Sequence, residues 1–388
     1  MSVPLASPTA ASVTGPQSRP LAIAVVVLGS LLVAAALITL AYSVLAARRH
    51  RRREPLRAAL RSELLDRLYG RDEPAWDAWV ASLSAAERDE LESVLDVYLR
   101  ELAGRDAATL AGLGRALGIP DRARREIVDG GYWERTHALV WLALLRDAPD
   151  RDLLRAHCTA TPRERAAAAR VLYAAGTDDR ATTGVDLLLR DDPEAFSVFG
   201  VDTLYRVAES DPGPFFDRAA ADFETWPPAL QRQALLVVRH LTTVVGGADL
   251  SWVVTALASP DPSVRAAAWR ALGAYGWNRR LRDAVDLGAI PEEPAPTVRA
   301  DAYRALGVWG DAAALDAIEA AGTIDPDPRA QVAAAETLVA QRGADAAPPA
   351  SEQPFGVAWD WAAEHARFDR LARDISRDRE RLHDEVRG

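Results

Sequence analysis

Six histidines (His50, His137, His157, His240, His365 and His383) and one cysteine, Cys158, are the side chains best suited to hold a metal or attack an electrophile. No two histidines stand four apart, the spacing that aims two imidazoles on a helix at one ion. His157 precedes Cys158, but adjacent side chains on a helix point apart, so they do not make a nucleophile and its base. Asp178-Asp179 and Asp191-Asp192 are paired carboxylates, yet both fall where turns between helices are expected, and capping accounts for them. There is no Gly-x-Gly-x-x-Gly, no phosphate-binding Gly-rich loop and no Gly-x-Ser-x-Gly. The expectation is a protein that is not an enzyme, with no catalytic residue, no metal site and no cofactor.

Binding chemistry is better represented. Among 11 tryptophans, Trp277 and Trp309 stand near glycines that end helical runs, and Arg279, Arg280 and Arg282 place positive charge beside Trp277. Aromatic and arginine side chains carry much of the energy where a surface binds a partner, so these five are the candidate partner-binding residues. Trp269 and Tyr303 occupy equivalent positions in neighbouring repeats and read as core.

Residues 21–47 contain no charged side chain and are followed by Arg48, Arg49, His50, Arg51, Arg52 and Arg53. About 20 helical residues cross a bilayer core, and basic residues favour the cytoplasmic side. The sequence therefore predicts a single transmembrane helix at 21–47, with residues 1–20 as a disordered tail outside and 48–54 as a basic flank. The body is then cytoplasmic at the cell membrane. All 46 basic residues are arginine, and 56 acidic residues leave a net charge of -10. An acidic body lacks the basic stripe that tracks a nucleic-acid backbone, so no nucleic-acid partner is expected. A single cysteine excludes an intramolecular disulfide and a cysteine-rich metal site.

Beyond Pro55 the apolar spacing is helical throughout, and no segment alternates as a strand. Residues 55–128 read as a helical cap or divergent repeats, with Ser84 and Glu87 spaced as a capping box. Over 129–340 the chain repeats. Pro162, Pro193, Pro228, Pro262, Pro296 and Pro328 recur at intervals of 31 to 35 residues and open helical runs. Three residues after each stand Arg165, Phe196, Gln231, Arg265, Arg299 and Gln331. Proline suits a first helical turn, Asp or Thr before it caps the helix, and Gly273 and Gly307 suit left-handed exits. Second helices are expected near 181–190, 214–225, 248–258, 280–288 and 311–321.

The pattern Asp-Pro-x-Val-Arg-x-x-Ala-x-x-x-Leu-Gly over 261–273, with most of it at 296–307 and 161–172, resembles the HEAT-repeat family, in the short form of phycobilisome-lyase-like proteins. That resemblance implies an all-α solenoid that binds protein partners. After a linker at 341–356, a charged amphipathic helix spans 357–388. Trp361, Phe368, Ile375 and Leu382 recur every seven residues, which fits either docking on the solenoid or self-association. The function expected is a membrane-anchored scaffold or adaptor that holds a protein partner, itself a membrane protein, at the cytoplasmic face. A membrane-bound structural homo-oligomer is the alternative. A lyase-like, chromophore-handling enzyme is the remote one.

Overall fold

The computed structural model describes residues 18–70, 73–190, 193–242, 250–349 and 355–387; the side chains of 18–26, 41, 43–53 and 378–387 lie outside the described residues, as do residues 1–17 of the expected tail. The fold is all-α, with no strand among the described residues. It divides between Leu117 and Gly118 into two units.

The first unit holds α1 (Ser18–Leu68), α2 (Trp76–Ser82), α3 (Ala85–Glu101) and α4 (Gly104–Ala116). Leu60 and Leu64 of α1 join Trp76, Trp79, Leu91, Leu95 and Leu110 in its core. Arg57 Nε donates to Glu90 at 2.7 Å, and Trp76 Nε1 donates to the Thr109 carbonyl at 3.2 Å. Ser84 and Glu87 form both halves of the expected capping box.

The expected transmembrane helix requires correction. Among the described residues, no helix is long and apolar enough to cross a membrane. Helix α1 runs unbroken through the arginine cluster and Pro55 to Leu68. The side chains of Arg48, Arg49, Arg51, Arg52 and Arg53, expected as the membrane flank, lie outside the described residues. With the span go the single-pass topology, the cell-membrane location, the bilayer contact, the scaffold role at the cytoplasmic face and the membrane-protein partner.

The second unit is a stack of helices. One layer runs α6 (Tyr132–Leu145), α8 (Pro162–Ala175), α10 (Val198–Ser210), α12 (Pro228–His240), α14 (Pro262–Tyr275), α16 (Pro296–Trp309) and α18 (Pro328–Arg342), each packed on the next. Beside it lie α5 (Ile119–Asp129), α7 (Arg151–His157), α9 (Arg180–Leu188), α11 (Gly213–Asp222), α13 (Ser251–Thr255), α15 (Arg279–Ala284) and α17 (Ala312–Thr323). Five of the six repeat prolines open helices of the first layer. Pro193 does not: α10 starts at Val198. Phe196 is buried, and Gln233 holds both its backbone groups, accepting from the N–H at 2.8 Å and donating to the carbonyl at 2.7 Å. That grip keeps the segment out of the helix.

Three arginines, Arg135, Arg265 and Arg299, fasten successive helix pairs. Each of the three reaches back to a carbonyl just before its own helix and forward to a carboxylate about one repeat on. Arg135 bonds the Gly130 carbonyl at 2.7 Å and Glu164 at 3.0 Å. Arg265 bonds the Ser259 carbonyl at 2.7 Å and both oxygens of Glu293 at 2.7 Å. Arg299 bonds the Glu293 carbonyl at 2.7 Å and both oxygens of Asp325, at 2.8 and 2.7 Å. Where glutamine replaces arginine, the backward half survives. Gln231 Nε2 donates to the Phe223 carbonyl at 2.9 Å, and Gln331 Nε2 to that of Thr323 at 3.4 Å. Between those pairs, Phe215, Phe216 and Phe223 pack their rings around Trp252.

Gly273 and Gly307 are not helix exits. Both lie inside helices at close approaches: a Cβ on Gly273 would press on the backbone of Ala305, and one on Gly307 would collide with Thr337 Cγ2. The exits with positive φ are Gly276 and Gly310, three residues later in each case. At the other end, α19 (Val357–Arg387) docks on α18 through Ala358, Trp359, Ala362 and Ala363. Trp361, Phe368, Leu371 and Ile375 face away and are exposed, while Leu382 lies outside the described residues. The first turns of this helix thus pack within the chain, while the seven-residue stripe is left on its exposed side.

Two substitutions test this packing. Gly307→Ala should cost about 1–3 kcal/mol, as overpacking does in a closed helix contact. Arg299→Met leaves Asp325 as an unpaired buried charge and should cost about 3–5 kcal/mol. Urea denaturation of the full chain checks both. A loss below about 0.5 kcal/mol in either variant would contradict the packing described.

Candidate functional site

The second-layer helix that follows α14 is short. Asn278 caps α15 by accepting from the N–H groups of Arg280 and Leu281, but regular helix stops at Ala284. Asp286 then accepts from the Gly288 N–H at 2.8 Å and opens a single 3-10 turn over 287–289. Pro291 and Pro294 keep the chain from resuming a helix before α16. The equivalent helix one repeat later, α17, is 12 residues long. Six residues cannot cover the same surface of the first layer.

The shortfall leaves a pocket of about 320 Å³. Its walls are Val254 and Leu257 on one side, Trp269 of α14, and Val298, Arg299 and Ala302 of α16. Val285 and Ile290 line it from the irregular loop, and both are buried. Ala258, Ala284 and Ala289, all exposed, stand with Asp286 at its mouth. Small side chains at the mouth and large apolar ones within describe an opening onto an apolar interior.

The charged groups in the wall are already engaged with each other. Burial opposes ionisation of Glu293, but bonds from Arg265 and the Ala295 N–H outweigh it and hold the carboxyl below its ordinary range. The same balance applies to Asp325: burial raises it, while Arg299, the Asp327 N–H and the Tyr303 hydroxyl together pull it lower. Tyr303, fully buried, is pushed well above the usual phenol range by burial and then by its bond to Asp325. The guanidiniums of Arg265 and Arg299 are raised by their bonds to Glu293 and Asp325. These groups lock the pocket wall rather than offer reactive sites.

The five residues expected to bind a partner do not share one surface. Trp277 is 56% exposed, in the turn between α14 and α15, and Arg279 and Arg280 are exposed close by in sequence. Arg279 stands 3.7 Å from Asp283. Arg282 turns inward to Asp311 at 3.3 Å, and Trp309 is buried at 5% exposure. Trp269 and Tyr303 are core residues, and Trp269 also lines the pocket. The pocket lies in the same pair of repeats as these residues but is lined by none of the five. The available signal was the interruption of the second helix, with two prolines in the space of four residues.

Elsewhere, an open groove of about 650 Å³ lies between α10 and α12, edged by Val198 and Leu236. It is broader and less enclosed than the pocket, so it excludes water less well. Cys158 is fully buried, and burial, followed by the nearby Glu164 charge, pushes its thiol up to about 12. Among the described residues no group of three or more His, Cys, Asp or Glu side chains is placed to hold a metal ion.

No protein-family model matches this chain, and neither a curated protein nor a solved structure does. The expected membership of the HEAT-repeat family is corrected accordingly, and the lyase-like alternative falls with it. The features that carried the resemblance each have a local cause. Proline and a capping side chain start helices, alanine and glycine let helices approach, and arginine fastens loops. Any stack of helix pairs meets those demands, so the pattern alone does not establish a family.

Linkage gives the pH dependence. A carboxyl held below its unfolded pKa, about 3.9 for Asp and about 4.3 for Glu, stabilises the fold fully above that value and loses the effect as pH falls through the folded pKa. Asp325 and Glu293 are both of this kind. Urea midpoints between pH 6 and pH 3 should therefore fall less steeply in Asp325→Asn than in the wild type. Parallel slopes would contradict the assignment. In the native chain, Cys158 should also resist a thiol reagent at pH 8 until denaturant is added.

Proposed function

We propose that this chain is a non-catalytic binding protein whose ligand is a small molecule with an apolar body seated in the pocket between α14, α16 and the loop at 285–290. The observation that carries this reading is the pocket itself. It has apolar walls, an open mouth, and wall charges already satisfied by Arg265–Glu293 and Arg299–Asp325. Its volume lies at the lower end of the range typical of small-molecule sites, about 300–1,000 Å³. Leaving such a space empty forfeits packing that a longer second helix would have supplied. The non-catalytic reading is supported by the state of the groups suited to chemistry. The Cys158 thiol is buried and hard to ionise, and the strongly perturbed groups near the pocket are committed to structural pairs.

A second reading places binding on the outside of the same repeats, at Trp277 with Arg279 and Arg280. Its support is the exposure of a large aromatic side chain beside two arginines. One experiment separates the two. Indole is titrated into the full-length protein by calorimetry, alongside the variants Ala289→Trp and Trp277→Ala. Both substitutions are at exposed positions, so the melting temperature should stay close to that of the wild type. The pocket reading expects saturable one-to-one binding that Ala289→Trp abolishes and Trp277→Ala leaves unchanged. Loss of binding in Trp277→Ala alone would favour the surface, and no binding by the wild type would overturn the pocket.

A further inference from the structure

We infer that the pocket selects a ligand with a two-ring aromatic body and a protonated amine on a short arm. This rests on the reading of the pocket as a binding site and adds the chemistry of what enters it.

The size of the body follows from the volume. A cavity of about 150 Å³ takes benzene. The pocket, at about 320 Å³, is roughly twice that and has room for two fused rings. The indole of Trp269 forms part of the wall, so an aromatic ligand gains ring contacts beyond plain burial.

The sign of the polar end follows from which charges are already used. Within the wall, Glu293 is matched by Arg265 and Arg299 by Asp325, both through two-pronged bonds. Neither pair calls for a counter-charge from a ligand. Of the arginines nearby in sequence, Arg282 pairs with Asp311 and Arg279 stands by Asp283, while Arg280 is exposed and does not line the pocket. Asp286 is different. It is exposed at the mouth, its Oδ1 accepts one bond from the Gly288 N–H, and no arginine pairs with it among the described residues. A carboxylate without a cation at the rim of an apolar pocket favours an ammonium and repels a carboxylate or phosphate.

The test compares three probes of one body by calorimetry on the full-length protein: tryptamine, indole and indole-3-propionate. Tryptamine should bind about fivefold more tightly than indole, the upper range of a solvent-exposed ion pair, and indole-3-propionate more weakly than indole. Asp286→Asn should remove the advantage of tryptamine and leave indole affinity unchanged. If indole and tryptamine bind equally, or the propionate binds best, the cation preference is overturned while the pocket stands. If no probe binds, the pocket reading itself fails. The three probes on wild-type protein decide the matter even if the variant is unstable.

Discussion

A buried guanidinium is stable only when its charge is matched and its N–H groups are bonded. Arg299 meets that demand from three directions. Its side chain is 6% exposed and that of Asp325 1%, and the pair is joined by two bonds, with a third to the Glu293 carbonyl. Those acceptors come from different loops, so satisfying the arginine fixes the loops. The clamp at Arg265 does the same one repeat earlier, and it holds the side chain of the very residue whose backbone Arg299 holds. The two clamps therefore meet at Glu293. Lysine would serve poorly here, since one ammonium cannot present a planar fork to a carboxylate and still reach a carbonyl on the other side.

The pocket is a consequence of that arrangement. A loop bounded by a six-residue helix and interrupted by prolines has few backbone bonds of its own. What keeps it open over apolar walls, and prevents it from collapsing inward, is the fixing of Glu293 from both neighbouring helices. The same clamps use up the wall's charges, which leaves Asp286 as the uncommitted carboxylate at the entrance. Stability and ligand preference thus trace to one set of arginines.

Much of the fold is legible in the sequence because its signals are local. Proline at a helix start, Asp261 and Thr161 as caps, and the capping box at Ser84 need only neighbouring residues to work. What was hidden depends on partners far along the chain. Gln231 and Gln331 look like failed arginines until their carbonyl partners eight residues back are seen. Gly273 and Gly307 look like helix exits, yet they serve contacts with Ala305 and Thr337 in the next helix. Trp309 looks exposed by its place near a glycine and is instead enclosed. The apolar run at 21–47 shows a further difficulty, because lack of charge alone does not decide what surrounds a helix.

The most direct test of the account is hydrogen exchange across the full chain in Arg265→Met compared with the wild type. Removing this guanidinium releases the side-chain hold on Glu293 and leaves Arg299 and its partners in place. Faster exchange concentrated in residues 285–295 and the first turn of α16, with the remaining helices protected as before, is the result the account predicts. Unchanged protection of that loop, or a uniform loss across the whole stack, would contradict the claim that the clamp at Glu293 shapes the pocket.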